Sequence, residues 1–231
     1  MELTLYFAPG ACSRVPLIVL EEIGCPFEAE LVAFMRGDHR KAAYVALNPA
    51  GKVPTLVVDG VPIGQNSAIL TCLSSLFPDV GLLPRHHEPV FAAQALAQLV
   101  WFSADLHPLV TRIRMPQFFC DSPGAPERVR ALGAEIMAFQ LSAVNARLNG
   151  QPWFLGDHWS ALDAYLYWVW FRITGAGFDD MNFAALASHA ERMEQRPAVK
   201  RALQREAEAQ ATLERLGLAM IMPSASAGAR P

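Results

Sequence analysis

Charge is scarce in this sequence, and its few cysteines show no pairing pattern. Only 18% of the 231 residues are charged, and the net charge is −3. The basic residues are scattered among acids, so no basic face exists of the kind that nucleic-acid binding requires. Cys12, Cys25, Cys72 and Cys120 form no CxxC pair and no metal-ligand spacing. That pattern excludes a disulfide framework and predicts no metal, and the thiols read as reduced ones in a cytoplasmic setting. The opening MELTLYF lacks a basic n-region and runs straight into a strand pattern, so no signal peptide is expected. The most apolar run, residues 161–173, contains Asp163 and Arg172 and is too short to span a bilayer. It reads as a buried helix, and no membrane partner is expected.

What the chain does have is apolar content, 52% of residues, enough for a large core and a further surface buried in an oligomer. Its pattern begins with LTLYFAPGACSRVPLIVL (residues 3–20). An apolar strand (Leu3, Leu5, Phe7) meets a Pro9-Gly10 turn, and an amphipathic helix starts near Ser13. This places Cys12 and a hydroxyl at a helix N-terminus, where orphan N–H groups and the positive dipole end favour a thiolate. Gly24 stops the helix. Residues 27–32 alternate apolar and acidic side chains as a second strand, and a short helix follows to Leu47 with Asp38 as its expected N-cap.

Asp59-Gly60 turns KVPTLVV into Val61-Pro62-Ile63 as a hairpin, and Gln65-Asn66 opens another helix that Pro78 closes. The order βαβαββα, with a proline entering the third strand, is thioredoxin-like. Pro54 cannot donate to the ladder, and a cis Val53–Pro54 bond would turn the Val53 backbone outward toward a peptide-like ligand.

The polar stretch DVGLLPRHHEP (residues 79–89) is the expected domain boundary. Beyond it the pattern is all helical. One helical stretch covers 90–119 and is interrupted at Pro108. Another covers 126–148, with Val129, Leu132, Ile136 and Phe139 at helical spacing. Further helices span 160–174, 183–195 and 197–216. The expected division is therefore a thioredoxin-like domain (1–80), an all-helical bundle (90–218) and a small, polar, flexible tail (219–231). Ser160 and Asp163 form an S-x-x-D capping pair, a folding feature and not a catalytic one.

Four motifs in order, PGACS, ALNPAGKVPTLVVDG (46–60), QNSAI (65–69) and FLGDHWSALDAYL (154–166), resemble the cytosolic glutathione transferases, most of all their bacterial, cysteine-containing (beta-like) classes. The resemblance covers roughly residues 3–216. It implies glutathione as co-substrate, a homodimer, and detoxifying conjugation to a small apolar electrophile. It also implies that Val53 and Pro54 present backbone to the cysteinyl unit and that Gln65 and Asn66 hold the γ-glutamyl end. His39 and Lys52 would hold the glycyl carboxylate, with Arg36 as a further basic contact. The family usually carries Ser or Thr where Asn66 stands.

Three groups compete for the chemistry. Cys12 comes first by its match to the bacterial pattern, Ser13 second as a hydroxyl donor or a mere cap, and Tyr6 third. His107 resembles a residue that lines the site from the helical domain, and Trp101 and Phe102 join it as co-substrate candidates by position, as does the segment Met220-Ile221-Met222. Most of the aromatic concentration around residues 159–171 must be core. Two other readings remain open at this level: a monothiol reductase or lyase acting through Cys12, and a non-catalytic binding protein on the same fold.

Overall fold

The computed structural model describes residues 1–84 and 88–219. The tail from 220, with Met220-Ile221-Met222, and residues 85–87 of the expected linker lie outside the described residues. The chain divides into two compact units, one containing Met1–Leu82 and the final described helix, the other containing Leu83–Glu194.

The first unit is built on a four-stranded mixed sheet. Strand β1 (Leu3–Phe7) leads into helix α1 (Arg14–Ile23), then β2 (Glu28–Leu31), helix α2 (Ala42–Leu47), β3 (Thr55–Val58), β4 (Val61–Gly64) and helix α3 (Asn66–Leu76). The sheet order is β2-β1-β3-β4. β1 pairs with β2 in parallel (Leu5 opposite Ala29) and with β3 antiparallel (Leu5 opposite Leu56). The Asp59-Gly60 turn takes positive φ at both positions (47° and 82°), which suits the right-handed twist of a two-residue hairpin. Pro62 sits in the edge strand β4, where a missing N–H costs no ladder bond. The thioredoxin-like expectation therefore stands, including the cis Val53–Pro54 bond.

The second unit holds α4 (Pro89–Trp101), α5 (His107–Arg114), α6 (Ala125–Leu148), α7 (Ala161–Thr174) and α8 (Ala184–Gln195); α9 (Pro197–Arg215) lies with the first unit. The sequence pattern counted α9 with the bundle. What attaches it to α1 is charge as much as oil: Arg196 pairs with Glu22, Arg201 and Arg205 with Glu21, and Arg14 with Glu206. Hydrophobic periodicity carries no record of such pairs.

Three other expectations change. Asp38 caps no helix. Gly37 turns left-handed (φ 73°), and the segment breaks into two 3-10 turns, Phe34–Arg36 and Asp38–Arg40, before α2 begins behind Lys41. The chain does not break at Pro108 either. A π-helical turn, Phe102–Leu106, joins α4 to α5 and absorbs a proline that cannot donate back into the helix.

On α6 the stripe read from the sequence is not the core-facing one. Leu132, Ile136 and Phe139 are exposed (Phe139 by 79%), whereas Gly133, Met137, Leu141, Val144 and Leu148 are buried. Gly133 faces α5 closely, since a Cβ there would lie 3.1 Å from Arg112 Cβ.

In the second unit, α7 is buried along nearly its whole length, with Tyr165, Tyr167, Trp168 and Trp170 in the core. The carboxylate of Asp163 anchors its start. It accepts the Ser160 N–H (2.9 Å) and hydroxyl (2.9 Å), the Phe154 N–H (2.7 Å) and His189 Nε2 (2.9 Å). The capping expectation understated this residue, because Phe154 and His189 reach it only through the tertiary fold.

Candidate active site

In the first unit, β1 delivers the chain to the Pro9-Gly10 turn, and α1 starts two residues after Cys12. Ser13 is completely buried. Its hydroxyl accepts the Ala8 N–H (3.1 Å) and donates to the Ala8 carbonyl (3.2 Å), so it neither caps α1 nor points out of the turn. Cys12 is half-buried, and its thiol donates to the Val53 carbonyl at 3.3 Å. The sulfur is thus directed at a carbonyl beside Pro54, not at the N–H groups of α1 on which the sequence argument relied. Tyr6 rests edge-on against Tyr44 (5.5 Å between centroids) and lines a cavity of about 190 Å³ with Leu31, Asp38, Lys41 and Leu47.

The approach to Val53 is clamped by two residues that the sequence reading passed over. The Tyr44 hydroxyl donates to the Lys52 carbonyl (2.7 Å), and Asn48 Nδ2 donates to the same oxygen (2.8 Å). Both also meet the Thr55 hydroxyl, at 3.0 and 2.9 Å. Burial pushes the Tyr44 phenol up, and the Thr55 bond opposes it. Beyond this clamp the Val53 N–H makes no hydrogen bond among the described residues. An unpaired backbone donor next to a thiol is what an extended peptide ligand can use.

Gln65 and Asn66 both stand at the start of α3, as expected, but in different settings. Gln65 is the cap residue of α3, exposed and strained at φ 70°, ψ 126°, while Asn66 is the first helical residue and is buried. A bulky residue at positive φ costs of order 1–3 kcal/mol and marks a position fixed by its surroundings. Asn66 Nδ2 donates to the Cys12 carbonyl at 3.1 Å, and its Oδ1 is buried without a hydrogen-bond partner among the described residues. The helix start therefore lies against the cysteine turn.

The His39 backbone packs against Gly51, which precedes Lys52 and takes φ 59°; a Cβ there would sit 2.9 Å from the His39 carbonyl oxygen. Lys52 is exposed, and no ion pair engages its ammonium among the described residues. His39 packs edge-on to Phe34 (5.0 Å), with Nδ1 buried and unpartnered among the described residues. Arg36 is otherwise occupied. Its guanidinium makes three contacts of 2.7 to 3.2 Å with Asp38, which also accepts Lys41 (2.7 Å) and the Ala33 N–H (3.0 Å). The hydrogen bond from Arg36, ahead of those from Lys41 and Ala33, holds the Asp38 carboxyl well below the usual carboxylate range. The basic contact expected of Arg36 is thus spent inside the loop that carries His39.

A chain with these parts invites comparison with proteins that bind small thiol peptides. A family model described as glutathione S-transferase, N-terminal domain, matches residues 10–76. Glutathione S-transferase GST-4.5 of Xanthomonas campestris pv. campestris is 32% identical over 202 residues, covering 87% of this chain and 98% of that protein. This chain belongs to the glutathione transferase family. Among solved structures, the glutathione S-transferase from Xylella fastidiosa superposes with a TM-score of 0.81 at 28% identity, covering 89% of this chain and 99% of that one. A sphingomonad glutathione S-transferase complexed with glutathione reaches 0.76 at 30% identity, covering 88% and 98%.

In the second unit, the family candidates His107 and Trp101 flank the π turn. His107 Nδ1 lies 2.8 Å from the Tyr165 hydroxyl, and its ring rests on Trp168 at 4.5 Å. Trp101 donates to Gln140 at 3.2 Å. Among the described residues no group of three or more potential metal-ligating side chains occurs, and no helix is long and apolar enough to cross a membrane.

Proposed function

We propose that this protein is a glutathione transferase that joins the sulfur of glutathione to an electrophilic carbon of a small apolar substrate, with Cys12 as the residue facing that sulfur. The observation that carries this reading is the pairing of an unengaged Val53 N–H with the Cys12 thiol on the carbonyl of the same residue. In the proposed complex the cysteinyl backbone of glutathione pairs with Val53. The γ-glutamyl carboxylate meets the start of α3 beside Gln65, where orphan N–H groups favour an anion. Lys52 and His39 take the glycyl carboxylate. Glutathione loses its thiol proton to solvent, the sulfur forms the new S–C bond, and the leaving group departs with its electron pair. When the glutathione backbone N–H takes the Val53 carbonyl, the Cys12 S–H is released from it and serves this step by weak donation to the thiolate. Ser13, with both hydroxyl functions engaged on Ala8, is left out of the chemistry.

Thermal shift and calorimetry with glutathione test the binding half. Glutathione should raise Tm by mass action, and Gln65→Ala should weaken that rise. No response at millimolar glutathione would overturn the reading. Paired assays of conjugation and disulfide reduction on Cys12→Ala and Ser13→Ala test the chemistry: Cys12→Ala should lower conjugation and Ser13→Ala should not, per folded molecule. A loss confined to Ser13→Ala would transfer the role to the serine.

The assembly we infer is a cytoplasmic homodimer. Supporting it, α4 leaves Phe91, Leu96 and Val100 exposed, and α6 leaves Leu132, Ile136 and Phe139 exposed, apolar side chains that a partner subunit could cover. Light scattering that returned the 25.3 kDa monomer mass at micromolar concentration would refute the dimer.

A further inference from the structure

We propose that Asn66 is a positioning residue for Cys12, and that through it the start of α3 and the thiol are held as one unit. The inference deepens the glutathione reading above, but its test is made without glutathione.

Several hydrogen bonds fix the backbone around Cys12. Its carbonyl accepts the Val15 N–H (3.2 Å) and the Asn66 amide (3.1 Å). Its neighbour Ser13 is pinned in both directions on Ala8. On the other side, the Ala11 N–H donates to the Ala8 carbonyl at 3.1 Å. The Cys12–Ser13 peptide plane is thus set by one bond within its own turn and one that arrives from a helix 54 residues further along the chain. The thiol's reach to the Val53 carbonyl depends on that plane.

Asn66 is built for this link. It is 4% exposed, so its amide does not exchange the Cys12 carbonyl for water. It follows a residue held at positive φ, which fixes the direction in which α3 starts. Its Oδ1 lies buried without a donor among the described residues, so the donating Nδ2 carries the contact. A serine or threonine, the residue usual in the family at this position, has a side chain one bond shorter and no second polar atom to span the gap. The asparagine here therefore adds a tie between the start of α3 and the cysteine turn. Glutathione seated at α3 then acts on the orientation of Cys12 through a single amide.

The test is alkylation of the ligand-free protein by iodoacetamide across pH 5 to 10 at about half-unit steps, with mass spectrometry of the Cys12 peptide and the other three cysteines as internal references. Loss of one hydrogen bond to a held carbonyl should alter the Cys12 rate by about fivefold or displace its pH profile in Asn66→Ala. The rates at Cys25, Cys72 and Cys120 should stay unchanged. Asn66→Ser should behave like Asn66→Ala. If Asn66→Ala and wild type give superimposable Cys12 profiles, Asn66 does not position the thiol and the proposal fails. Should Asn66→Ala not fold, Asn66→Asp removes the donor at nearly constant shape, and the same comparison decides.

Discussion

Replacing Glu206 by Gln should cost this protein substantial stability, because it breaks a buried ion pair in the first unit. The carboxylate accepts Arg14 Nε at 2.9 Å and the Gly10 N–H at 3.1 Å, and Arg14 Nη2 reaches it as well. The side chains of Arg14 and Glu206 are only 7% and 6% exposed, so solvent screens the pair little. Taking one partner from a buried pair leaves the other charge uncompensated, which costs about 3–5 kcal/mol. Arg14 and Gly10 each keep a further interaction, which places the expectation at the lower end, about 3 kcal/mol. For a chain of this size, about 2–4 °C per kcal/mol translates that into a fall in Tm of roughly 10 °C. Glu22→Gln is the control. Its partner Arg196 is 28% exposed, and such a pair is worth about 1 kcal/mol or less.

The assay is thermal unfolding followed by circular dichroism, at one protein concentration because assembly shifts Tm. The double variant Arg14→Met/Glu206→Leu should recover most of the loss, since an apolar pair needs no desolvation of charge. The Gly10 bond adds a functional arm: the turn that carries Cys12 is held from behind by α9, so Glu206→Gln should also lower conjugation per folded molecule. A Glu206→Gln protein melting within about 1 °C of wild type would refute the reasoning, because it would show that the buried pair contributes nothing net.

Two further outcomes follow from the titrating groups. The Ser122 backbone and hydroxyl bonds hold the Cys120 thiol below its usual range, whereas burial pushes Cys25 and Cys72 up. Outside the site, Cys120 should therefore alkylate first at neutral pH, and peptide mapping that finds Cys25 or Cys72 ahead of it would contradict the assignment. Asp38, whose carboxyl is depressed by Arg36 and Lys41, contributes stability that is present above the ordinary carboxylate pKa of about 4 and is lost as pH falls toward its folded value. Asp38→Asn should remove that part of the acid sensitivity and lower Tm at pH 7 more than at pH 3; an equal loss at both would exclude the linkage.

The sequence by itself determined the elements and the frame of the site. Period-two alternation, the Asp59-Gly60 turn and a proline where a ladder strand should start act within a few residues, so the β-sheet, its hairpin and the cis bond at Val53 were legible. The helix starts after Cys12 and at Gln65-Asn66 were legible in the same local way, whereas the roles proposed for these residues came from the family resemblance. Tertiary structure decided whatever depends on partners far along the chain. Ser13 could have donated to a ligand sulfur until Ala8 claimed its hydroxyl, and Arg36 was an available cation until Asp38 folded back onto it. Asn66 could have been a cap until the Cys12 carbonyl came within 3.1 Å. On α6 two apolar stripes competed, and only packing made Met137 and Leu141 core and left Phe139 outside. Glu206 had no signal at all. A carboxylate on an amphipathic helix reads as solvated until the fold brings a buried guanidinium to it from 192 residues away, and that encounter costs the chain nothing in local pattern.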